Sequence, residues 1–152
     1  MVIYLGADHR GFELKEHIKE MLLDQAYEVY DVGNVVYDKD DDYPDFASEV
    51  GKKVRQDPEN NRGILICGSG AGVDIAANKF PTVRSTIGIS PDQVYDARHD
   101  DNINVLSLAA DFTHTPDALK MVQTFIETPY SGEERHVRRL EKLSKIENEA
   151  WK

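Results

Sequence analysis

Cysteine and long apolar runs are both scarce in this sequence, and each shortage excludes a class of protein. The single cysteine, Cys67, rules out an intrachain disulfide and with it the disulfide-stapled secreted domains. No apolar run is long enough to span a bilayer, and no basic segment followed by an apolar one resembles a secretory leader. We therefore expect a soluble, cytoplasmic protein without a membrane partner.

Positive charge is scarce as well. The 18 lysines and arginines face 28 aspartates and glutamates, which gives a formal net charge of −10. Nucleic acids are bound through clustered lysine and arginine, so we expect no nucleic-acid partner. A small phosphorylated ligand is not excluded, because a few cations suffice to bind it. One basic group lies near the end of the chain: Arg135, His136, Arg138 and Arg139.

Short apolar runs alternate with amphipathic segments along the 152 residues, a length that suits one domain. The runs predict strands at 2–5, 27–33, 63–67, 83–89 and 105–108. The other segments predict helices that begin near residues 12, 45, 73, 91, 116 and 132. Strands that alternate with helices imply a parallel sheet covered on both faces. We therefore predict an α/β protein, a single three-layer αβα Rossmann-like domain with a five-stranded parallel sheet. The acidic run 38–42 is expected to be a solvated loop.

The last predicted helix, about 132–152, has few apolar residues for its length. They lie roughly on one stripe: Val137, Leu140, Leu143, Ile146 and Trp151. Because such a stripe needs a surface to cover, we expect the helix to protrude and pack on a partner subunit. Arg135 and Arg139 are one turn apart on a shared face and suit a phosphate or carboxylate. The alternative is a solvated basic turn that pairs with Glu133 or Glu141.

The stretch 63–79 is the most informative part of the chain. An apolar run of strand length ends at Cys67, small residues alternate with glycines, and helical spacing follows. Such a loop directs backbone N–H groups and the positive end of the helix dipole toward one point, which attracts phosphate or developing oxyanion charge. The loop residues are Gly68, Ser69, Gly70, Ala71 and Gly72.

Cys67 stands at the mouth of that loop. A thiol near a helix N-terminus has a lowered pKa and is a better base or nucleophile, and the Ser69 hydroxyl lies two residues away. The alternative is that Cys67 is a small buried hydrophobe. The coincidence of a strand end with a glycine loop favours the functional interpretation.

Polar side chains also follow the first predicted strand. Asp8 and His9 lie at its carboxyl end, where ligands of open parallel sheets bind. Taken alone, Asp8 is a helix N-cap and His9 a surface histidine, but both share the sheet edge with Cys67. Tyr43 lies just before the second predicted helix, where it is either a hydrophobic staple or a wall of a sugar site.

These motifs resemble, in order and over nearly the whole chain, the type B ribose-5-phosphate isomerases and the related galactose-6-phosphate isomerase subunits. The matching segments are 6–12, 42–44, 63–79, 104–106 and 132–139. The resemblance implies an aldose–ketose isomerase of a phosphorylated sugar, with ribose 5-phosphate as the leading candidate. It further implies a cis-enediol intermediate, a homodimer or homotetramer, and no metal or other cofactor.

The resemblance also implies roles for individual residues. Cys67 takes the proton from the carbon next to the carbonyl, and Ser69, at a position usually held by threonine, moves protons between the enediol oxygens. The loop amides bind the enediolate as an oxyanion hole does; they belong to Gly68, Gly70, Ala71 and Gly72. Asp8 and His9 line the sugar and phosphate site. The neighbouring subunit contributes Arg135 and Arg139 to grip the phosphate.

Two departures from the family pattern concern the substrate. Counted without gaps, the ring-opening histidine of the family falls on Asp100, with His99 one residue earlier, and its neighbouring asparagine falls on Asp101. A carboxylate in that role needs a raised pKa to donate a proton near neutrality. An arginine of the family near the phosphate falls on Asp111, which would repel a phosphate unless it turns away or the substrate differs.

Three hypotheses follow. The first is the isomerase, and the second is a non-catalytic or altered-substrate sugar-phosphate binding protein of the same fold. A redox enzyme that uses Cys67 as nucleophile is disfavoured, because no second cysteine can resolve an oxidised intermediate. Exchange of the substrate C2 proton with solvent separates the first hypothesis from the second.

Overall fold

The structure is a computed structural model that describes residues 1–150. Its strands are β1 (Val2–Ala7), β2 (Glu28–Asp31), β3 (Asn61–Cys67), β4 (Ser85–Ile87) and β5 (Val105–Ala109). Its helices are α1 (Phe12–Asp24), α2 (Tyr43–Gln56), α3 (Ala71–Ala77), α4 (Pro91–Asp101), α5 (Thr115–Glu127) and α6 (Glu134–Ala150). None of these helices has both the length and the apolar character that a bilayer crossing requires.

The strands form one parallel sheet in the order β2-β1-β3-β5-β4. One apolar cluster joins the sheet to α1, α4 and α5, and a second joins it to α2 and α3. Both faces of the sheet are therefore covered, and the predicted three-layer αβα architecture is confirmed.

The strand order creates a crevice at the carboxyl edge. From β1 the chain passes outward to β2 and then returns to place β3 on the other side of β1. At such a switch point the neighbouring loops diverge and leave room for a ligand. The loops that follow β1 and β3 start side by side at this crevice, since Ala7 is paired with Ile66, and Cys67 is paired with Ala109 of β5.

Two boundaries differ from the sequence expectation. The fourth strand is Ser85–Ile87 rather than 83–89; just before its first residue, the amide of Arg84 is bound by the Asn104 side chain at 2.8 Å instead of a strand partner. Helix α2 begins at Tyr43, two residues earlier than expected. Pro44 fits its first turn, because the backbone N–H groups of a first turn have no partner within the helix and proline has no N–H to leave unbonded. Tyr43 is therefore the first residue of the helix and does not precede it.

Helix α6 leaves most of its apolar stripe uncovered within the chain. Val137, Leu143 and Ile146 are 39%, 49% and 63% exposed. Glu147 accepts a hydrogen bond from the Thr82 amide at 2.9 Å, and a cavity of about 490 Å³ separates the helix from the β4 edge. Packing of this stripe on a partner subunit stays a prediction, and Trp151, the last member of the predicted stripe, lies outside the described residues.

Candidate active site

Cys67 is the last residue of β3, the central strand of the sheet. The residue is 4% exposed, its thiol forms no disulfide, and its side chain belongs to the apolar cluster that includes Val73 and Ala77 of α3. The carbonyl of Cys67 accepts the Ala110 amide at 2.9 Å, which fixes the strand end against the loop after β5. The backbone of Cys67 is therefore fixed at the carboxyl edge beside the glycine loop, while the burial of its side chain is what the interpretation as a small hydrophobe expected.

The glycine loop turns sharply from β3 into α3. Gly70 has φ +73°, a left-handed conformation that side chains disfavour, and its position as N-cap begins α3 at Ala71. The Ser69 hydroxyl accepts the Ala71 amide at 3.4 Å. The ring of Tyr43 lies against Gly72, where an added Cβ would come within 2.7 Å of it. The structure thus brings Tyr43 to the loop, as a wall of the crevice requires.

Asp8 organises the loop between β1 and α1. Its Oδ1 accepts the amides of Arg10 at 3.0 Å and Gly11 at 3.1 Å, and its residue surface is 6% exposed. The N-cap of α1 is Gly11, so the N-cap interpretation of Asp8 is wrong, although the carboxylate does bind loop amides. The second oxygen, Oδ2, is not used by these bonds.

His9 is oriented by a residue far away in the sequence. Oδ1 of Asp41 lies 2.8 Å from His9 Nδ1 and accepts the His9 amide at 2.9 Å, while Asn34 donates to Asp41 Oδ2 at 2.9 Å. This hydrogen bond raises the pKa of His9 above its usual 6.5. The Asp41 side chain is only 6% exposed, so the expectation of a solvated loop at 38–42 is wrong at this residue.

Replacement of Asp41 by asparagine tests this contact. We expect Asp41→Asn to lower the pKa of His9 toward 6.5, because the charged acceptor that favours the imidazolium is removed. A raised folded-state pKa adds stability below 6.5 that is lost as the pH rises through the folded value, so the variant should lose stability mainly under acidic conditions. NMR titration of the histidine Cε1 protons measures the shift. Asp40→Asn, at an exposed neighbour, is the control, and an unchanged His9 titration in Asp41→Asn would contradict the assignment.

Arg10 and Asp111 form an ion pair across the mouth of the glycine loop. The Arg10 guanidinium covers Gly68 so closely that a side chain there would collide with it, and the Asp111 amide donates to the Gly68 carbonyl at 3.0 Å. The charge of Asp111 is therefore compensated within the site. Sequence reasoning did not select Arg10, because nothing near it in the chain indicates its partner 101 positions later.

A second group of predicted site residues lies at the junction of α4 and α6. His99 Nδ1 is 2.7 Å from Asp100 Oδ1, and the Tyr95 ring stacks on His99 with centroids 5.3 Å apart. The hydrogen bond from His99 lowers the pKa of Asp100, whereas donation of a proton near neutrality needs a raised one. Asp101 is exposed at the end of α4 and borders the cavity beneath α6.

The arginine pair of α6 is solvent-facing. Arg135 donates from Nε to Glu133 Oε2 at 2.8 Å, as the solvated alternative expected, and Arg139 is exposed. Within residues 1–150 no hydrogen bond or ion pair connects this second group with the Cys67 edge. The single chain therefore gathers most of the predicted site around the glycine loop and holds the rest on α4 and α6.

A thiol, an amide-rich loop and an oriented histidine at the switch point of a parallel sheet define an α/β domain equipped to bind a small anionic ligand and move protons. Comparison with known proteins agrees with this class. The model of the ribose/galactose isomerase family matches residues 3–143, so the chain belongs to that family, and the resemblance seen in the sequence is confirmed.

Several relatives span almost the whole chain. The probable ribose-5-phosphate isomerase B of Mycoplasma genitalium is 40% identical over 97% of this chain and 96% of its own length. The ribose-5-phosphate isomerase B of Mycobacterium tuberculosis is 39% identical over 97% and 90%. The crystal structure of the Mycoplasma genitalium enzyme with bound ribulose-5-phosphate has a TM-score of 0.93 at 39% identity and covers 97% of this chain and 96% of that one.

Proposed function

We propose that this protein interconverts ribose 5-phosphate and ribulose 5-phosphate as an aldose–ketose isomerase. The observation that carries the proposal is the position of Cys67, at the end of the central strand and directly before an amide-rich loop, in a member of the ribose/galactose isomerase family. The relative with bound ribulose-5-phosphate supports the same choice of substrate. The reaction needs no cofactor, since a side chain accepts the proton. A free thiol is what we expect of a protein in the cytoplasm, where thiols are kept reduced.

The proton path begins at Cys67. The thiolate removes the proton from C2 of the open-chain aldose, the electron pair forms the C1–C2 double bond, and the carbonyl oxygen becomes an enediol oxygen. The amides of the loop stabilise the developing negative charge; they belong to Gly68, Gly70, Ala71 and Gly72. Ser69 carries a proton between the two oxygens, and return of the Cys67 proton to C1 gives the ketose.

The sugar and its phosphate extend over the loop that follows β1. Asp8 Oδ2 is available to a sugar hydroxyl, His9 keeps Nε2 for the ligand because Nδ1 is held by Asp41, and Tyr43 closes one side. Arg10 adds a cation at the loop mouth that Asp111 keeps in place. The Asp111 carboxylate thus holds an arginine and need not repel a phosphate.

We assign the missing phosphate ligands to a second copy of the chain. Arg135 and Arg139 lie on α6, whose uncovered apolar stripe needs a partner surface, and the Cys67 edge holds no other arginine pair among the described residues. A homodimer or homotetramer with shared sites joins the two groups of residues that the single chain keeps apart. Asp101 would then contact the sugar of the partner.

Ring opening falls to His99 in this scheme. Its Nδ1 is held by Asp100, which leaves Nε2 free to protonate the ring oxygen, so Asp100 orients the histidine and is not itself the acid. We expect His99→Ala to slow turnover of a furanose substrate about 10²-fold while it hardly changes an obligately linear substrate. Assays on the two substrates measure the difference. A harmless His99→Ala together with a damaging Asp100→Asn would return the role to Asp100.

A further inference from the structure

The side chains of His99, Asp100 and His136 form a cluster of possible metal ligands where α4 meets α6. One donor atom of each lies within 4.8 Å of the other two. His99 Nδ1 is 2.7 Å and His136 Nε2 is 3.6 Å from the same oxygen, Asp100 Oδ1. Two imidazoles and one carboxylate are a set of donors that zinc takes in sites with an open position for water.

His136 is the part of this cluster that hydrogen bonding leaves unexplained. The side chain is 1% exposed, and Nε2 is a buried nitrogen with no hydrogen-bond partner among residues 1–150. Such an atom has lost water without gaining a replacement, which costs stability. Its 3.6 Å separation from Asp100 Oδ1 is too long for a hydrogen bond. It is close to the separation of about 3.3 Å between two ligands of one tetrahedral zinc ion.

The surroundings hold the two imidazoles in place. Ser131 Oγ lies 2.6 Å from His136 Nδ1, and the Ser131 amide donates to the His99 carbonyl at 2.9 Å. The stacked Tyr95 ring fixes the plane of His99. Outer contacts of this kind orient metal-binding histidines in known sites.

The cluster is also accessible to a cation. The side chains of His99 and Asp100 are 28% and 39% exposed, so an ion can enter and water can complete its coordination. The neighbouring positive charge of Arg135 is compensated by Glu133, which lies 2.8 Å from its Nε.

We propose that His99, Asp100 and His136 form a binding site for a divalent transition-metal ion of the zinc type. The ion binds His99 Nδ1, His136 Nε2 and a carboxylate oxygen of Asp100, and it replaces the proton that now bridges His99 and Asp100. The site goes beyond the proposed isomerisation, no step of which uses a metal. A bound ion engages the two side chains assigned to ring opening and therefore inhibits turnover of cyclic substrates.

Titration of the tag-free full chain with Co²⁺, followed by visible absorption, and competition with Zn²⁺ test the proposal. We expect one ion per chain with ligand-field bands and without a thiolate charge-transfer band. Loss of an outer contact alone costs about 10- to 100-fold in metal affinity, so His136→Gln and Asp100→Asn, which remove ligands, should weaken Zn²⁺ binding at least that much. His17→Ala removes an exposed histidine of α1 and should bind like the parent.

Three results would overturn the proposal. They are a parent chain that fails to bind one ion per chain, His136→Gln and Asp100→Asn variants that bind the ion as tightly as the parent does, or a thiolate band that locates the ion at Cys67. Circular dichroism verifies the fold of each variant. If the buried His136 does not tolerate glutamine, the half-buried His99 takes its place as His99→Ala. Because the readout is the absorption of the metal, it is independent of whether the protein isomerises any sugar.

Discussion

Cys67→Ala and Cys67→Ser should each reduce isomerisation by a factor of about 10² to 10⁴, because a positioned base contributes about that much to proton transfer. Exchange of the substrate C2 proton with solvent deuterium should fall by the same factor, since that exchange requires only removal of the proton. The fold should persist, since serine differs from cysteine by one atom and the residue is packed without any other covalent role. NMR detection of deuterium in the sugar measures the exchange.

Asp74→Asn is the matched control for this result. Asp74 lies one turn into α3 and is the nearest alternative base in the sequence, but its Oδ1 accepts the Ser85 hydroxyl at 2.7 Å, toward β4 and away from the β1 loop. Activity of Cys67→Ser within a few-fold of the parent, or a loss in Asp74→Asn as deep as in Cys67→Ser, would show that another group is the base. Binding of ribose 5-phosphate without exchange in the parent would favour the sugar-phosphate binding protein instead.

The fold could be predicted from the sequence because the patterns that indicate its strands and helices are local. The apolar run at 63–67 and the helical spacing of residues 12–22 each indicate one element without reference to the rest of the chain. The alternation of such elements then leaves few arrangements other than a covered parallel sheet. The edge strand β4 was predicted too long, and the contact just before its first residue comes from Asn104, which is 20 positions further along the chain.

The site was predictable only where the sequence marks it. Cys67 and the glycine loop form one continuous motif, and Asp8 and His9 follow a strand end. Two contacts of the site join segments that are far apart in the chain: that of Asp41 with His9 and that of Arg10 with Asp111. No local sequence pattern predicts such contacts.

These long-range contacts change the interpretation of residues that the sequence did mark. His9 becomes a histidine with one fixed nitrogen and a raised pKa, which suits it to a phosphate. Asp111 forms an ion pair with Arg10 at the loop mouth, so its charge is compensated there. The sequence alone shows which residues are charged, whereas the fold decides which charges are compensated.

The arrangement of charged residues is also the reason for proposing that a second copy of the chain completes the site. The Cys67 edge holds the groups to which we assign proton transfer, while Arg135 and Arg139 lie on a helix whose apolar side is exposed. A guanidinium group suits a phosphate dianion, because it presents two parallel N–H donors to the phosphate oxygens. Each edge would therefore receive its phosphate ligands from α6 of the partner.

Complementation between two inactive variants gives the sharpest test of this sharing. Homodimers of Cys67→Ala lack the base, and homodimers of Arg139→Ala lack a phosphate ligand, so each preparation alone should show little isomerisation. A hybrid dimer with shared sites has one site that carries both changes and one that carries neither. After equal mixing, unfolding and refolding, about one quarter of all sites should be intact, because half of the dimers are hybrids with one good site each. Recovery of isomerisation to about that fraction of the parent's activity is the expected result.

Mass spectrometry of differently tagged chains verifies the hybrids, and a mixture of Cys67→Ala with Cys67→Ser, which cannot complement, is the control. Verified hybrids that remain inactive would show that Arg139 serves the Cys67 of its own chain or no substrate at all.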